Sequence, residues 1–256
     1  MAEQILYGTK EWAPHNFNFM CGCSNDCVYC YAKAMSIRFK RKTNDTWKIE
    51  ETVPMKSKFY SKKDGPIMIP SSHDITPNNV DLAIEVMKKL LSNGNELLIV
   101  TKPNLDCIKK LANSISQWKD MVKFRITIGS ACTSTLKLWE PGAPSFEDRL
   151  ESLKFIFNQG YSTSISCEPM LDNDFDRLYA AVSSYVTDSI WIGKMNLPNS
   201  RVKANTNNGF PVDKINELIN WQSDANILNL YEKYKHNPQI EWKESIKKVI
   251  NKYQRT

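Results

Sequence analysis

Short apolar runs alternate along this chain with longer stretches in which apolar residues recur every three or four positions. Ile67-Met68-Ile69, bracketed by Pro66 and Pro70, has the pattern of a buried strand, and apolar positions 80, 82, 83, 86, 87, 90 and 91 follow at helical spacing. Asn93-Gly94 stops that helix, and Leu97-Leu98-Ile99-Val100 is the next strand. The same rhythm predicts a helix over 105–118, a strand over 124–128 and a helix over 146–157 stopped by Gly160. It continues with a strand over 162–167, a helix over 171–185 and a strand over 189–193. With a first strand over 16–20 this makes six β-then-α units, a rhythm that argues for an α/β fold with a parallel sheet. Residues 196–210 read as a polar loop, and two helices, over 212–234 and 242–253, complete the chain.

Six such units either curl into a partial barrel or lie flat as a doubly wound sheet, and periodicity does not choose between them. In both cases functional residues gather where the strands end, which singles out the loops beginning near Cys21, Ser71, Thr101, Gly129, Cys167 and Lys194. No repeat or linker-like stretch divides the sequence, so a single domain over 1–256 is expected, with its core over about 16–195.

Composition narrows the setting. No apolar run approaches the roughly 20 residues that span a bilayer. The start, Met1-Ala2-Glu3-Gln4-Ile5, lacks the basic-then-apolar profile of an export signal. A cytoplasmic location follows as the expectation, and there the seven cysteines read as thiols and metal ligands rather than disulfides. The net charge of +6 is uneven: from Lys33 to Lys63 ten Lys or Arg residues face three acids, with Phe39, Trp47, Phe59 and Tyr60 interleaved. Such a segment is compatible with a nucleic acid or nucleotide, and equally with a solvated surface.

The sharpest chemistry is in Cys23-Ser-Asn-Asp-Cys27-Val-Tyr-Cys30. Three thiolates can hold three corners of a four-iron cluster and leave the fourth iron open. A structural zinc site wants four protein ligands, and would have to recruit Cys21 from the cramped pair Cys21-Gly-Cys23.

The C-x3-C-x-aromatic-C form of this triplet resembles the motif of the radical S-adenosylmethionine (SAM) superfamily, and further segments resemble its spore photoproduct lyase group. These are Leu98–Lys102, with its Thr-Lys pair; Phe124–Ile128 followed by Glu140-Pro141-Gly142 and Arg149; and Glu168-Pro169. They occur in the group's order over roughly 16–195. The resemblance implies a partial (β/α)6 TIM barrel carrying one [4Fe–4S] cluster and SAM at its open end, followed here by two C-terminal helices. It implies that Cys23, Cys27 and Cys30 bind the cluster and that Tyr29 packs beside it. Lys102 would reach the SAM carboxylate, while Ser72, Thr127, Glu168 and Asn196 would contact the cofactor.

The match to the lyases themselves breaks at one place. They carry a cysteine that returns a hydrogen atom to the product radical in a Cys-Thr-Ser-Asp-Ile stretch; this chain has Ser71-Ser72-His73-Asp74-Ile75, and a serine O–H bond is too strong for that work. The chain is therefore expected to be a relative rather than a spore photoproduct lyase. Cys167, His73 and Asp74 are then the candidate catalytic residues: a spare thiol after the fifth strand, and a possible proton shuttle with its carboxylate neighbour. The implied partners are a flavodoxin- or ferredoxin-like electron donor and a substrate that is a nucleic-acid base or nucleoside, with a peptide or small metabolite as the alternative. A non-catalytic metal-binding protein is the reading from another class.

Overall fold

The computed structural model describes residues 7–254; the signal-peptide reading of residues 1–5 lies outside them. In chain order the strands are β1 (His15–Asn16), β2 (Met20–Cys21), β3 (Glu51–Thr52), β4 (Ile67–Ile69), β5 (Leu97–Thr101), β6 (Val122–Thr127), β7 (Ser162–Cys167), β8 (Ile190–Ile192) and β9 (Ile240–Trp242). The α-helices are α1 (Tyr31–Arg38), α2 (Val80–Ser92), α3 (Leu105–Ser114), α4 (Thr133–Trp139), α5 (Phe146–Asn158), α6 (Phe175–Val182), α7 (Pro198–Thr206), α8 (Val212–Trp221), α9 (Asp224–Tyr234) and α10 (Glu244–Tyr253).

Strands β1 and β4 to β9 form one seven-stranded sheet in that order, and every neighbouring pair is parallel. The order never reverses. A doubly wound sheet must reverse to place helices on both faces, whereas a one-way order with right-handed crossovers puts all the helices outside and curls the sheet. The partial barrel is therefore the fold, with a seventh parallel strand, β9, that falls almost wholly in the stretch the sequence reading left between its two C-terminal helices. The segment read as a loop over 196–210 contains α7, and the helix read over 212–234 is α8 and α9, broken at Gln222-Ser223.

Alternation along the strands separates two environments. Ile67, Ile69, Leu97, Ile99, Phe124, Ile126, Ile165, Cys167, Ile190 and Ile192 pack in the main core beneath the helices. Their neighbours Met68, Leu98, Val100, Arg125, Thr127, Ser164, Ser166 and Trp191 belong to the opposite face, the inside of the curl. Trp12 and Ala13 fill its floor against Met68, Leu98 and Val100. Arg125 lies there between the Trp12 and Trp191 rings, 4.8 and 5.2 Å from their centroids, with Nε donating to Ser164 Oγ at 3.0 Å. The residues before Trp12 are held by Lys243, a buried lysine whose Nζ lies 2.6 Å from Glu11 Oε2 and donates to the Gly8 carbonyl at 2.8 Å.

Candidate active site

A cavity of about 470 Å3 opens above this floor, where the strands end. Its lining includes Cys23, Cys27, Cys30, Tyr29, Ser72, His73, Asp74, Lys102, Thr127, Glu168 and Asn196, so all but one of the residues singled out from the sequence meet in it. The exception is Cys167. Its thiol is 1% exposed within the core beneath the helices, and Ser166 faces the cavity instead. Side chains alternate along a strand, so one position decides the face, and the expectation of a catalytic thiol at Cys167 is corrected on that ground. The serines at 162, 164 and 166 were the available signal for a polar inward face.

The cysteine loop is shaped from outside itself. Gly22 has φ of +101°, and a Cβ there would overlap the Ile49 carbonyl. Cys23 N donates to the Trp47 carbonyl at 2.9 Å. On the other flank the Glu140-Pro141-Gly142 turn presses on the loop: Val28 N donates to the Trp139 carbonyl (3.0 Å), Gly142 N to the Asn25 carbonyl (3.0 Å), and a Cβ on Gly142 would overlap the Ser24 carbonyl. From α7, Asn205 Nδ2 donates to the carbonyls of Val28 (3.0 Å) and Cys30 (2.9 Å). Tyr29 donates its hydroxyl to Glu140, which also takes the Arg149 guanidinium, and Arg149 reaches on to the carbonyls of Thr127 (3.1 Å) and Pro144 (3.0 Å). Glu140 and Arg149 are fully buried as a pair. Burial works against the Glu140 charge, but Arg149 and Lys102 hold its carboxyl below the usual range.

The three thiols of the motif line one cavity. A four-iron cluster takes one thiolate per iron, and these three residues could hold three of its corners. Burial pushes the Cys23 and Cys27 thiols well up and raises Cys30 also, so each gives up a proton when metal binds. Backbone N–H groups already point at the sulfurs: Lys33 N donates to Cys30 Sγ at 3.4 Å, making Cys30 the N-cap of α1. Cys21 is on β2 and does not line the cavity.

Across the cavity, Asp74 joins three segments. Its carboxylate accepts from Asn25 Nδ2 (3.0 Å), from the Thr101 hydroxyl, and from the backbone N–H of Ile75 (2.9 Å) and Lys102 (3.0 Å). Lys102 Nζ stands 3.9 Å from Asp74 and 6.0 Å from the Tyr29 ring centroid, and makes no hydrogen bond among the described residues. Burial opposes its charge, but Cys27, Glu140 and Asp74 together hold the ammonium above its ordinary pKa. It is a charged donor with its bonds still to make.

His73 is differently placed. Nε2 accepts from the backbone N–H of Phe19 (3.2 Å) and Met20 (3.3 Å), Nδ1 faces the Asp74 carbonyl at 3.1 Å, and the ring meets Phe19 edge-on. Burial lowers its pKa to about 4, so it is a neutral ring bracing β2 against the Ser71–Asp74 turn. Glu168 lies 3.5 Å from Lys243, and burial raises its carboxyl despite that lysine. Ser71 is tied to Asn18, accepting from its Nδ2 (2.9 Å) and donating its backbone N–H to Oδ1 (2.7 Å). Sequence reasoning missed Arg201 and Lys243 in the lining, since they lie in segments read as a polar loop and as a helix.

The basic segment divides. Lys33 and Lys42 are buried, paired with Asp26 at 2.6 Å and Glu51 at 2.7 Å, while Arg38, Lys40 and Arg41 stay exposed. Among the described residues no helix is long and apolar enough to cross a membrane, and all seven cysteines are free.

No protein-family model matches the chain. It is 26% identical over 173 residues to the uncharacterized protein ORF301 of Acidianus two-tailed virus, covering 62% of this chain and 56%, about half, of that one. Its structure is similar to a spore photoproduct lyase complexed with dinucleoside spore photoproduct (TM-score 0.62, 14% identity, 94% of this chain and 79% of that one). It is also similar to Streptococcus suis SuiB bound to the precursor peptide SuiA (TM-score 0.50, 10% identity, 89% of this chain and 48% of that one). At such identities the likeness is one of fold.

Proposed function

We propose that the chain is a radical SAM enzyme with one [4Fe–4S] cluster, acting on a nucleic-acid base or nucleoside. The observation that carries this reading is the joint placement of the three motif cysteines and the Lys102 ammonium, which makes no hydrogen bond among the described residues, in one strand-end cavity. When bound, the cluster supplies the electron that splits SAM into methionine and a 5′-deoxyadenosyl radical, which takes a hydrogen atom from the substrate.

The chain's own residues do the rest. Cys23, Cys27 and Cys30 would hold three irons of the cluster, and the N–H groups at the start of α1 would offset the charge of the sulfurs. Lys102 pairs with a carboxylate of the cofactor, kept in place by Asp74. Ser72, Thr127, Glu168 and Asn196 line the remainder of the proposed cofactor space, and the apolar floor of Trp12 and Met68 keeps water from the reacting atoms. Among the described residues no thiol beyond Cys23, Cys27 and Cys30 lines the cavity. A base or nucleoside suits the open mouth with its Tyr7 and Arg201 side chains, and a dinucleoside is what the similar lyase structure holds. A reducing, cytoplasmic setting accords with free thiols and an oxygen-sensitive cluster.

Anaerobic reconstitution with iron and sulfide, followed by incubation with SAM and dithionite, tests the reading. Formation of 5′-deoxyadenosine is the expected result; iron bound without it would leave a non-catalytic metal protein. Hydrogen exchange from deuterated nucleosides or from peptides into 5′-deoxyadenosine then separates the two substrate classes.

A further inference from the structure

Helix α1 begins at Cys30, the least buried of the three cluster cysteines, and its outer side carries an apolar stripe. Tyr31, Met35 and Phe39 follow one another at i, i+4 and i+8, so they stand on one face of the helix. They are 42%, 44% and 55% exposed, and none joins a core cluster. The opposite flank of the helix is occupied, because α7 packs on it and Asn205 ties down Cys30.

At the far end of the stripe Arg38 and Arg41 place their guanidinium groups 5.9 and 5.5 Å from the Phe39 ring centroid, and Lys40 lies beside them. None of the three cations has an ion-pair partner among the described residues, in contrast to Lys33, Lys42 and Lys48 of the same segment.

We propose that this stripe and its basic end dock a small acidic one-electron carrier protein of the flavodoxin or ferredoxin class. The proposal rests on the radical SAM reading, which requires one electron from outside per SAM cleaved. The carrier loses that electron and is oxidised; the cluster gains it and is reduced. Composition favours a protein partner: Tyr, Phe, Met and Arg are the residues enriched in protein interfaces, here as an apolar centre with a charged rim. A nucleic-acid track would instead spread its cations along the strand and leave aromatic faces open for bases. Here the charges crowd into residues 38–41 and two of them cover Phe39. Position favours an electron donor. Eight helical residues span about 12 Å, so the whole stripe lies close to Cys30, and a positive patch steers an acidic carrier toward that side.

The test uses the reconstituted protein, an acidic flavodoxin as probe, and the double substitution Arg38→Glu/Arg41→Glu, with unchanged circular dichroism melting as the check on folding. Calorimetric titration at low ionic strength is expected to show flavodoxin binding that weakens with salt and is at least about tenfold weaker for the variant. Dithionite-driven 5′-deoxyadenosine formation is expected to be equal in both proteins, and flavodoxin-driven formation to fall with binding. Flavodoxin that does not bind, or binds both proteins equally, overturns the docking face. So does a variant that loses dithionite-driven activity, or one that loses binding of a single-stranded oligonucleotide while keeping flavodoxin. Wild-type protein that binds flavodoxin but forms no 5′-deoxyadenosine with dithionite overturns the enzyme reading instead.

Discussion

Tyr29, between the second and third cysteines of the loop, donates its hydroxyl to Glu140, a residue 111 positions later that closes α4. Through that bond the Glu-Pro-Gly turn and Arg149 become part of the mould for the cysteine loop. The buried ion pair therefore has a task beyond stability: it fixes where Tyr29, and with it the cysteines on either side, can sit.

Removing one member of that pair is expected to be costly. Arg149→Met leaves the buried Glu140 without its paired guanidinium, and a loss of about 3–5 kcal/mol is expected in urea unfolding of the metal-free protein. Glu140→Gln, which keeps an acceptor for Tyr29, is expected to lose less stability yet bind less iron on reconstitution. Equal stability in all three proteins would show that the pair does not organise the loop.

Alanine at Cys23, Cys27 or Cys30 is each expected to prevent assembly of a stable cluster, seen as loss of the visible absorption and of most of the roughly four irons per chain. Cys21→Ala and Cys167→Ser are expected to keep both. Loss of iron with Cys21→Ala would point to a four-cysteine site.

Lys102→Met removes the uncommitted ammonium and leaves Asp74 held by Asn25, Thr101 and two backbone N–H groups. A charged hydrogen bond contributes about 1.5–3 kcal/mol, so SAM affinity is expected to fall about 10- to 100-fold with iron content unchanged. Equilibrium binding of labelled SAM measures this, and undiminished affinity would remove Lys102 from the cofactor site.

His73 gives a pH signature. Burial holds its pKa to about 4 in the folded protein, below the ordinary value of 6.5, so protons bind the unfolded chain more readily. Its contribution is present in full above pH 6.5 and is lost as pH falls toward 4, by about 3 kcal/mol over that window. Denaturation of wild type and His73→Gln across pH 7 to 4 checks this; the variant should show a flatter dependence. Parallel curves would mean that His73 titrates normally.

How far the sequence reaches can be followed at particular residues. The helical spacing over 80–91, the strand at 97–100 and the Cys23–Cys30 spacing are local patterns set by chain geometry, and each is present in the fold as read. So is the gathering of Tyr29, Asp74, Lys102, Thr127 and Glu168, because strand ends in a parallel α/β fold converge by topology. Cys167 shows the limit: adjacent positions on β7 face opposite sides, and only the packed register put Ser166 in the cavity and Cys167 in the core. The last strand, β9, is three residues long and is defined by its pairing with β8, a partner about fifty residues earlier that no local window contains. Of the cysteine triplet itself, the sequence alone determined the donor atoms and their spacing. What decided their geometry lay in the tertiary structure, where Ile49, Gly142 and Asn205 close on the loop from distant parts of the chain, because backbone groups find such partners only after the sheet has curled.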